Sequence, residues 1–149
     1  MARFHPRLVS ALAVAALCHG QLLAAQSSSV EVATQFGDSV IHLPSGDSIE
    51  FQATGPAMVP NEAPGLLVTF YPFFAFQDSS RVRGSALAFL QMLLPILPER
   101  PSWVVMRAVN VPAARRNRGS YYPIKAFGVV VEYHKDGRWY ELQDTTPAF

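Results

Sequence analysis

The chain has 149 residues, half of them apolar, a single cysteine and a formal net charge of +1. A chain so close to neutral gives no electrostatic argument for a nucleic-acid partner, whose binding depends on the neutralisation of phosphates by a clustered Lys/Arg surface. One cysteine excludes a disulfide framework, and the length is sufficient for one domain that is stabilised by its own core.

The first 25 residues have the organisation of an export signal. Two arginines precede an uncharged apolar run over residues 8–18, and the small-residue segment Leu23-Ala24-Ala25 leads into a polar stretch that begins at Gln26. The apolar run is much shorter than the ~20 residues that a helix needs to cross a bilayer. We therefore predict a cleaved signal peptide over residues 1–25 and no transmembrane span, with a single periplasmic or secreted domain over residues 26–149.

Removal of the signal changes the charge and the cysteine content of the domain. Without Arg3 and Arg7, ten basic residues face eleven acidic ones and the net charge is −1. Cys18 leaves as well, so the domain has no disulfide, thiolate nucleophile or cysteine-ligated metal. Lipidation of Cys18 is the alternative, but the residue before it is Leu17, where lipoprotein signals carry Gly, Ala or Ser.

The first part of the domain is rich in β-type segments. Ser39–Leu43 and Ser48–Thr54 flank the turn-forming stretch Pro44–Asp47 and predict a hairpin with one buried face. Gly55–Gly65 contains three prolines, which predicts an irregular connection. The continuous apolar run Leu66–Tyr71 predicts a strand at the centre of a sheet.

A helix is predicted next, over Ser79–Leu94. Asp78, Ser79 and Ser80 can cap its first amides, apolar residues recur at spacings of three and four, and Pro95 prevents continuation. The next β-type run is Trp103–Val109. A strand, a helix and a strand in this order predict a right-handed crossover that makes the two strands parallel neighbours.

The C-terminal part predicts a hairpin. After a polar loop over Val111–Pro123, the strands Phe127–His134 and Arg138–Gln143 flank the turn Asp136-Gly137. The predicted fold is thus α+β, a two-layer sandwich of a mixed β-sheet of about six strands with one principal helix and a C-terminal β-hairpin.

The register of this hairpin decides which side chains meet. A two-residue turn at Asp136-Gly137 would oppose Glu132 to Glu141 beside His134 and Trp139, a combination suited to an acid/base or metal site. The opposite, core face would then carry four apolar and aromatic residues, Val131, Tyr133, Tyr140 and Leu142. The solvent face of any antiparallel hairpin also collects charged residues without a catalytic role.

A three-residue loop ending in a left-handed Gly137 is the alternative. It would oppose His134 to Arg138 and Tyr133 to Trp139, and the two carboxylates would no longer meet.

A second candidate site lies in the polar loop. Arg115, Arg116 and Arg118 precede the neighbouring phenol rings of Tyr121 and Tyr122. Three guanidinium groups with two aromatic rings could bind an anionic glycan, a phosphorylated headgroup or an acidic protein surface. The alternative interpretation is a solvated loop tip between two strands.

The predicted helix has an unusual flank. No residue from Gly84 to Pro98 is charged, and Leu87 and Leu94 widen the apolar stripe that faces the sheet. The remaining side is small or uncharged, at Gly84, Ala88, Gln91 and Pro95. We expect either a loop of the same chain, Gly55–Gly65 or Pro72–Phe76, to cover this flank, or a second copy or partner to use Leu87 and Leu94 as an interface.

These observations favour binding over catalysis. The chain has no Gly-x-Ser-x-Gly, His-Glu-x-x-His or phosphate-loop motif, and His42 and His134 are its histidines outside the signal. We expect an exported, non-catalytic binding or accessory module without cofactor or metal, whose partner is an envelope protein, an anionic glycan or a second copy. The alternative is a small hydrolase or metal-dependent enzyme that uses His134 with Glu132 and Glu141.

Overall fold

The computed structural model describes residues 26, 31–33, 35–37, 39–58, 64–112 and 125–142. They form one sheet of six strands in the order β1 to β6, and every neighbouring pair is antiparallel except β3 and β4, which are parallel. The strands are β1 (Val40–His42), β2 (Ser48–Ala57), β3 (Gly65–Pro72), β4 (Trp103–Val109), β5 (Ala126–Tyr133) and β6 (Trp139–Glu141). With helix α1 (Ser79–Leu93), this confirms the predicted α+β fold class.

Helix α1 connects the two parallel strands. The Asp78 carboxylate caps it by accepting from the backbone N–H of Arg81 at 3.0 Å, as its position before the helix predicts. A short 3₁₀ turn, Leu94–Ile96, follows. The predicted end at Leu94 is therefore correct to within one residue.

The core lies between α1 and one face of the sheet. From the helix it contains five fully buried apolar side chains, Val82, Ala86, Phe89, Leu90 and Leu93. From the sheet it contains alternate residues of β3 and β4, among them Leu66, Val68, Phe70, Val104 and Met106. Phe70 and Phe89 meet edge to face with 6.1 Å between ring centroids.

A second helical segment precedes β1 and was not expected from the sequence. Residues 31–33 and 35–36 are helical, Val32 is fully buried, and the Phe36 ring packs edge to face on Phe89 at 5.5 Å. Val32 and Phe36 are four residues apart, so they lie on one side of a helix. That spacing was the available signal, but two apolar residues in a polar stretch are too few to establish a helical period.

Strand β2 is longer than predicted. It continues through Gly55 and Pro56 to Ala57, so the expectation of an irregular segment from Gly55 onward is wrong for its first three residues. Strand β1 pairs with β2 as far as Glu50 and the Phe51 N–H donates to the Ser39 carbonyl at 3.3 Å, so Pro56 lies beyond the part of β2 that β1 covers. A proline lacks the N–H that a central strand needs, but an edge tolerates it.

The flank of α1 is partly exposed. Leu87 and Leu94 are half-buried against the core, whereas Gly84, Gln91 and Pro95 are exposed. Phe74 and Phe76 also pack against the core, and the Arg81 guanidinium lies 4.4 Å above the Phe74 ring. An interface at Leu87 and Leu94 stays a prediction.

No helix among the described residues is both long and apolar enough to span a bilayer. The signal peptide predicted over residues 1–25 lies outside the described residues, so the cleavage and the localisation stay predictions.

Candidate functional site

The C-terminal hairpin turns through three loop residues. The N–H of His134 donates to the carbonyl of Arg138 at 2.9 Å, and the N–H of Gly137 donates to the carbonyl of His134 at 3.0 Å. Gly137 has φ +85°, a left-handed conformation that glycine adopts without steric cost. The two-residue turn at Asp136-Gly137 is therefore wrong, and the three-residue alternative is the observed one.

The extra loop residue exchanges the two faces of β6. Tyr133 pairs with Trp139 and Glu132 with Tyr140, because a shift of one residue turns every side chain to the other side of the sheet. Trp139 and Glu141 are buried on the helix side, while Leu142 is 60% exposed.

Four of the side-chain placements expected for the hairpin are correct and four are not. The outward positions expected for Trp139 and Glu141 are wrong, since both residues are buried. The core positions expected for Tyr140 and Leu142 are wrong, since Tyr140 is only half-buried on the other face. Val131 is fully buried and Tyr133 packs against the core, as predicted. Glu132 and His134 are exposed, also as predicted.

Glu141 is a structural residue under α1. Its side chain is 9% exposed and accepts two hydrogen bonds from Arg83, Nε to Oε2 at 2.9 Å and Nη2 to Oε1 at 2.5 Å. The expected pairing of Glu141 with Glu132 beside His134 is therefore wrong. The turn length is the physical reason, because it places the two carboxylates on opposite faces of the hairpin.

A smaller cluster remains on the outer side of the hairpin. Glu132 Oε2 lies 3.5 Å from His134 Nε2, and the imidazole is tilted over the Tyr140 ring with 4.6 Å between centroids. The Tyr140 hydroxyl donates to Asp136 Oδ2 at 2.7 Å. A cavity of about 220 Å³ adjoins the cluster and is lined by Glu132, His134, Tyr140, Glu141 and Leu142.

The electrostatics of the cluster are those of a surface network. The hydrogen bond from the Tyr140 hydroxyl lowers the pKa of Asp136, and the same bond raises the pKa of Tyr140. The side chains of Glu132 and His134 are about half exposed, at 49% and 50%. Solvent screens their interaction, so the geometry provides no enclosed acid/base pair.

The described residues hold no metal-binding arrangement. No group of three or more His, Cys, Asp or Glu residues in this part of the chain is placed to coordinate a cation. The arginine-tyrosine candidate, Arg115, Arg116, Arg118, Tyr121 and Tyr122, lies outside the described residues.

The face of the sheet opposite α1, which we call the second face, carries an apolar row that sequence reasoning missed. The backbone register aligns one residue from each of four neighbouring strands with the residue directly after β6: Gly55, Leu67, Val105, Val130 and Leu142. The first four are half-buried and Leu142 is exposed. No single strand shows this row in sequence, because it crosses the strands and exists only once they are paired.

Two further rows flank the apolar row on the second face. On one side, the Trp103 ring lies across Gly65, where a Cβ atom would come within 2.4 Å of the indole, and Glu132 stands on the next strand. On the other side, Arg107 is exposed and its Nε donates to the buried Thr69 hydroxyl at 3.2 Å. The neighbour of Arg107 on β5 is the exposed Gly128.

The fold and this surface define a small α+β domain with a helix on one face of its sheet. Comparison of the chain with models of protein families, with curated proteins and with solved structures found no match.

Proposed function

We propose that the chain is an exported, non-catalytic module that binds another protein through the second face of its sheet. The observation that carries this proposal is the apolar row, which crosses the sheet from β2 and ends after β6 at the 60% exposed Leu142. A solvated sheet face ordinarily alternates apolar inward residues with polar outward ones. An uncharged row at outward positions supports an interaction surface.

The residues beside the row support a protein as the partner. The exposed Arg107 and the half-buried Tyr140 flank it, and Arg and Tyr are among the residue types that contribute most binding energy in protein interfaces. Their arrangement around an apolar centre, with charges at the edge, is typical of an interface core and its rim.

Catalysis is less well supported than binding. The alternative enzyme needs His134 with both Glu132 and Glu141, but Arg83 binds Glu141 on the other side of the hairpin. The remaining contact, Glu132 to His134 at 3.5 Å, is open to solvent. It lacks the water-excluding pocket in which acid/base residues acquire shifted pKa values.

Export is the second part of the proposal and rests on the pattern of the first 25 residues. N-terminal sequencing of the protein recovered from its host should find Gln26 or a near neighbour as the first residue. Recovery with an intact Met1, or with a lipidated Cys18 at the N-terminus, would contradict this part.

The binding surface is tested by affinity capture from the host's own envelope fraction with three proteins. These are the wild type, Val130→Lys in the apolar row, and Gln91→Lys on the exposed side of α1 as the matched control. We expect the wild type and the control to retain the same partner protein and Val130→Lys to lose it, because a lysine in the row would have to be desolvated. Circular dichroism establishes that all three are folded. Retention of the partner by Val130→Lys would contradict the proposed surface.

A further inference from the structure

We infer that the protein on the second face is a second copy of this chain, packed face to face about a two-fold axis that runs along the apolar row. This inference rests on the proposed binding function and names its partner. The positions of two charged residues relative to the apolar row support a second copy as the partner.

Arg107 and Glu132 lie on opposite sides of the apolar row. Arg107 is two residues beyond Val105 on β4, and Glu132 is two residues beyond Val130 on β5, toward the other edge of the row. Both side chains are exposed. The second face therefore has a positive charge on one side of its apolar centre and a negative charge on the other.

The two charges cannot satisfy each other within one chain. Arg107 pairs in register with Gly128, and Glu132 stands four residues farther along the same strand. At 3.3 to 3.4 Å per residue this is a separation of about 13 Å along β5. Glu132 instead has His134 as its neighbour, and the Arg107 Nε donates to the Thr69 hydroxyl.

A two-fold axis along the row brings the charges together between copies. The rotation leaves each residue above the same strand of the other copy but moves it to the opposite side of the row. Arg107 of one copy therefore lies above Trp103 of the other. Glu132 is on the strand next to Trp103, one interstrand spacing of about 4.8 Å away. The guanidinium can thus contact the Glu132 carboxylate of the other copy.

The same rotation places Glu132 above Gly128, beside Arg107 of the other copy. A Cβ atom built on Gly128 would meet nothing within 4 Å, so this position leaves open space for the incoming carboxylate. The row itself packs on its own copy, with Leu67, Val105 and Val130 each facing the same residue across the axis. An isologous interface of this kind is self-complementary.

The charges also select this orientation over the other two-fold arrangement of stacked sheets. An axis parallel to β4 would place Arg107 directly against Arg107 of the second copy. Like charges opposed across an interface are unfavourable, whereas the axis along the row makes two opposite-charge pairs.

The test is a charge-reversal cycle on the full-length gene product purified from its host. Sedimentation equilibrium measures the dimer dissociation constant of the wild type, Arg107→Glu, Glu132→Arg and the double variant. Gln91→Glu, on the exposed side of α1, is the matched control, and circular dichroism establishes folding. We expect each single reversal to raise the dissociation constant at least tenfold, since a close interfacial charge pair is worth about 1.5 kcal/mol or more. The double variant should return to the wild-type range.

The inference is wrong if the wild type stays monomeric at all concentrations. It is also wrong if neither single reversal changes the dimer dissociation constant, or if the double variant dimerises no more tightly than the single variants. The proposed binding function is tested independently of the second copy. A monomer that still captures another protein in a Val130-dependent manner overturns the second copy and leaves the binding surface standing. A monomer that captures nothing overturns both.

Discussion

The hairpins at the two ends of the sheet, β1–β2 and β5–β6, have the same turn but are bound to α1 by different residues. In the first, the N–H of Leu43 donates to the carbonyl of Asp47 at 2.8 Å and Gly46 has φ +86°. In the second, His134 and Arg138 make the equivalent bond at 2.9 Å and Gly137 has φ +85°. Pro44-Ser45-Gly46 and Lys135-Asp136-Gly137 are therefore equivalent three-residue loops, so the third-position glycine, and not the residues before it, determines the turn.

The residues that bind the hairpins to α1 differ. In the first hairpin Asp47, which directly follows the turn, accepts from the Arg81 Nε at 3.0 Å and from the Ser85 hydroxyl at 3.2 Å. In the second hairpin the turn is exposed, and the strand residue Glu141 binds Arg83 instead. The helix thus holds each hairpin by one arginine.

The two hairpins account for two charges of α1 that are otherwise unfavourable. Arg81 and Arg83 lie in the first turns of α1, where the helix macrodipole disfavours a positive charge. Each arginine has a carboxylate partner from a different hairpin, Asp47 or Glu141. Attraction between opposite charges offsets the unfavourable interaction of each arginine with the helix dipole. It also holds both hairpins at the N-terminal end of the helix.

The largest expected effect tests the register of the second hairpin. Trp139 is 4% exposed within the core, so Trp139→Ala should lower the free energy of unfolding by about 3–5 kcal/mol. Leu142→Ala, on the second face, should change it by less than about 0.5 kcal/mol. Urea unfolding measures both. A larger loss of unfolding free energy for Leu142→Ala than for Trp139→Ala would instead indicate the two-residue turn.

The next largest effect is expected from replacing the two arginines that bind the hairpins to α1. Arg83→Met leaves the buried carboxylate of Glu141 without its guanidinium, and we expect a loss of about 2–3 kcal/mol, below the range for fully buried pairs because Arg83 is 43% exposed. Arg81→Met should cost less, because Asp47 keeps the Ser85 hydroxyl as a donor. Urea unfolding of both variants checks the order. The double variant Arg83→Met/Glu141→Met should recover most of the loss, and a double variant as unstable as Arg83→Met would contradict the pair.

The equivalence of the two turns is tested by one substitution made twice. Gly46→Ala and Gly137→Ala should each cost about 1–2 kcal/mol, since an L side chain is disfavoured at positive φ. A Cβ atom has space at both sites, so the backbone conformation is the common cause. Thermal unfolding should show similar shifts. A neutral substitution at only one position would show that the two loops are not equivalent.

The smallest effect is the acid response of the first hairpin. The hydrogen bond from Arg81 lowers the pKa of Asp47 below its ordinary value of 3.8. A lowered folded-state pKa contributes stability above the unfolded value, and this contribution is lost as the pH falls through the folded value. The stability difference between the wild type and Asp47→Asn should therefore be present at pH 6 and shrink below pH 4, as urea unfolding across this range can measure. A difference that does not change with pH would contradict the ionised pair.

The candidate site was less predictable than the elements that form it. Glu132 and His134 share one face and are exposed as expected, because their spacing of two places them on the same side of any strand. Glu141 was assigned to the wrong face, because Asp136-Gly137 fits a two-residue turn as well as the end of a three-residue one. The similar loop Pro44-Ser45-Gly46 was the available signal for the longer turn.

By itself the sequence determined the fold class, the helix with its Asp78 cap, the central position of β3 and the parallel pairing of β3 with β4. Hydrophobic period and capping are local properties, and a helix between two strands restricts the topology. Only the tertiary structure decided which carboxylate each arginine of α1 binds, which face of β6 is buried, and which residues form the apolar row. These depend on pairing between distant segments, where one additional loop residue reverses every side chain of a strand.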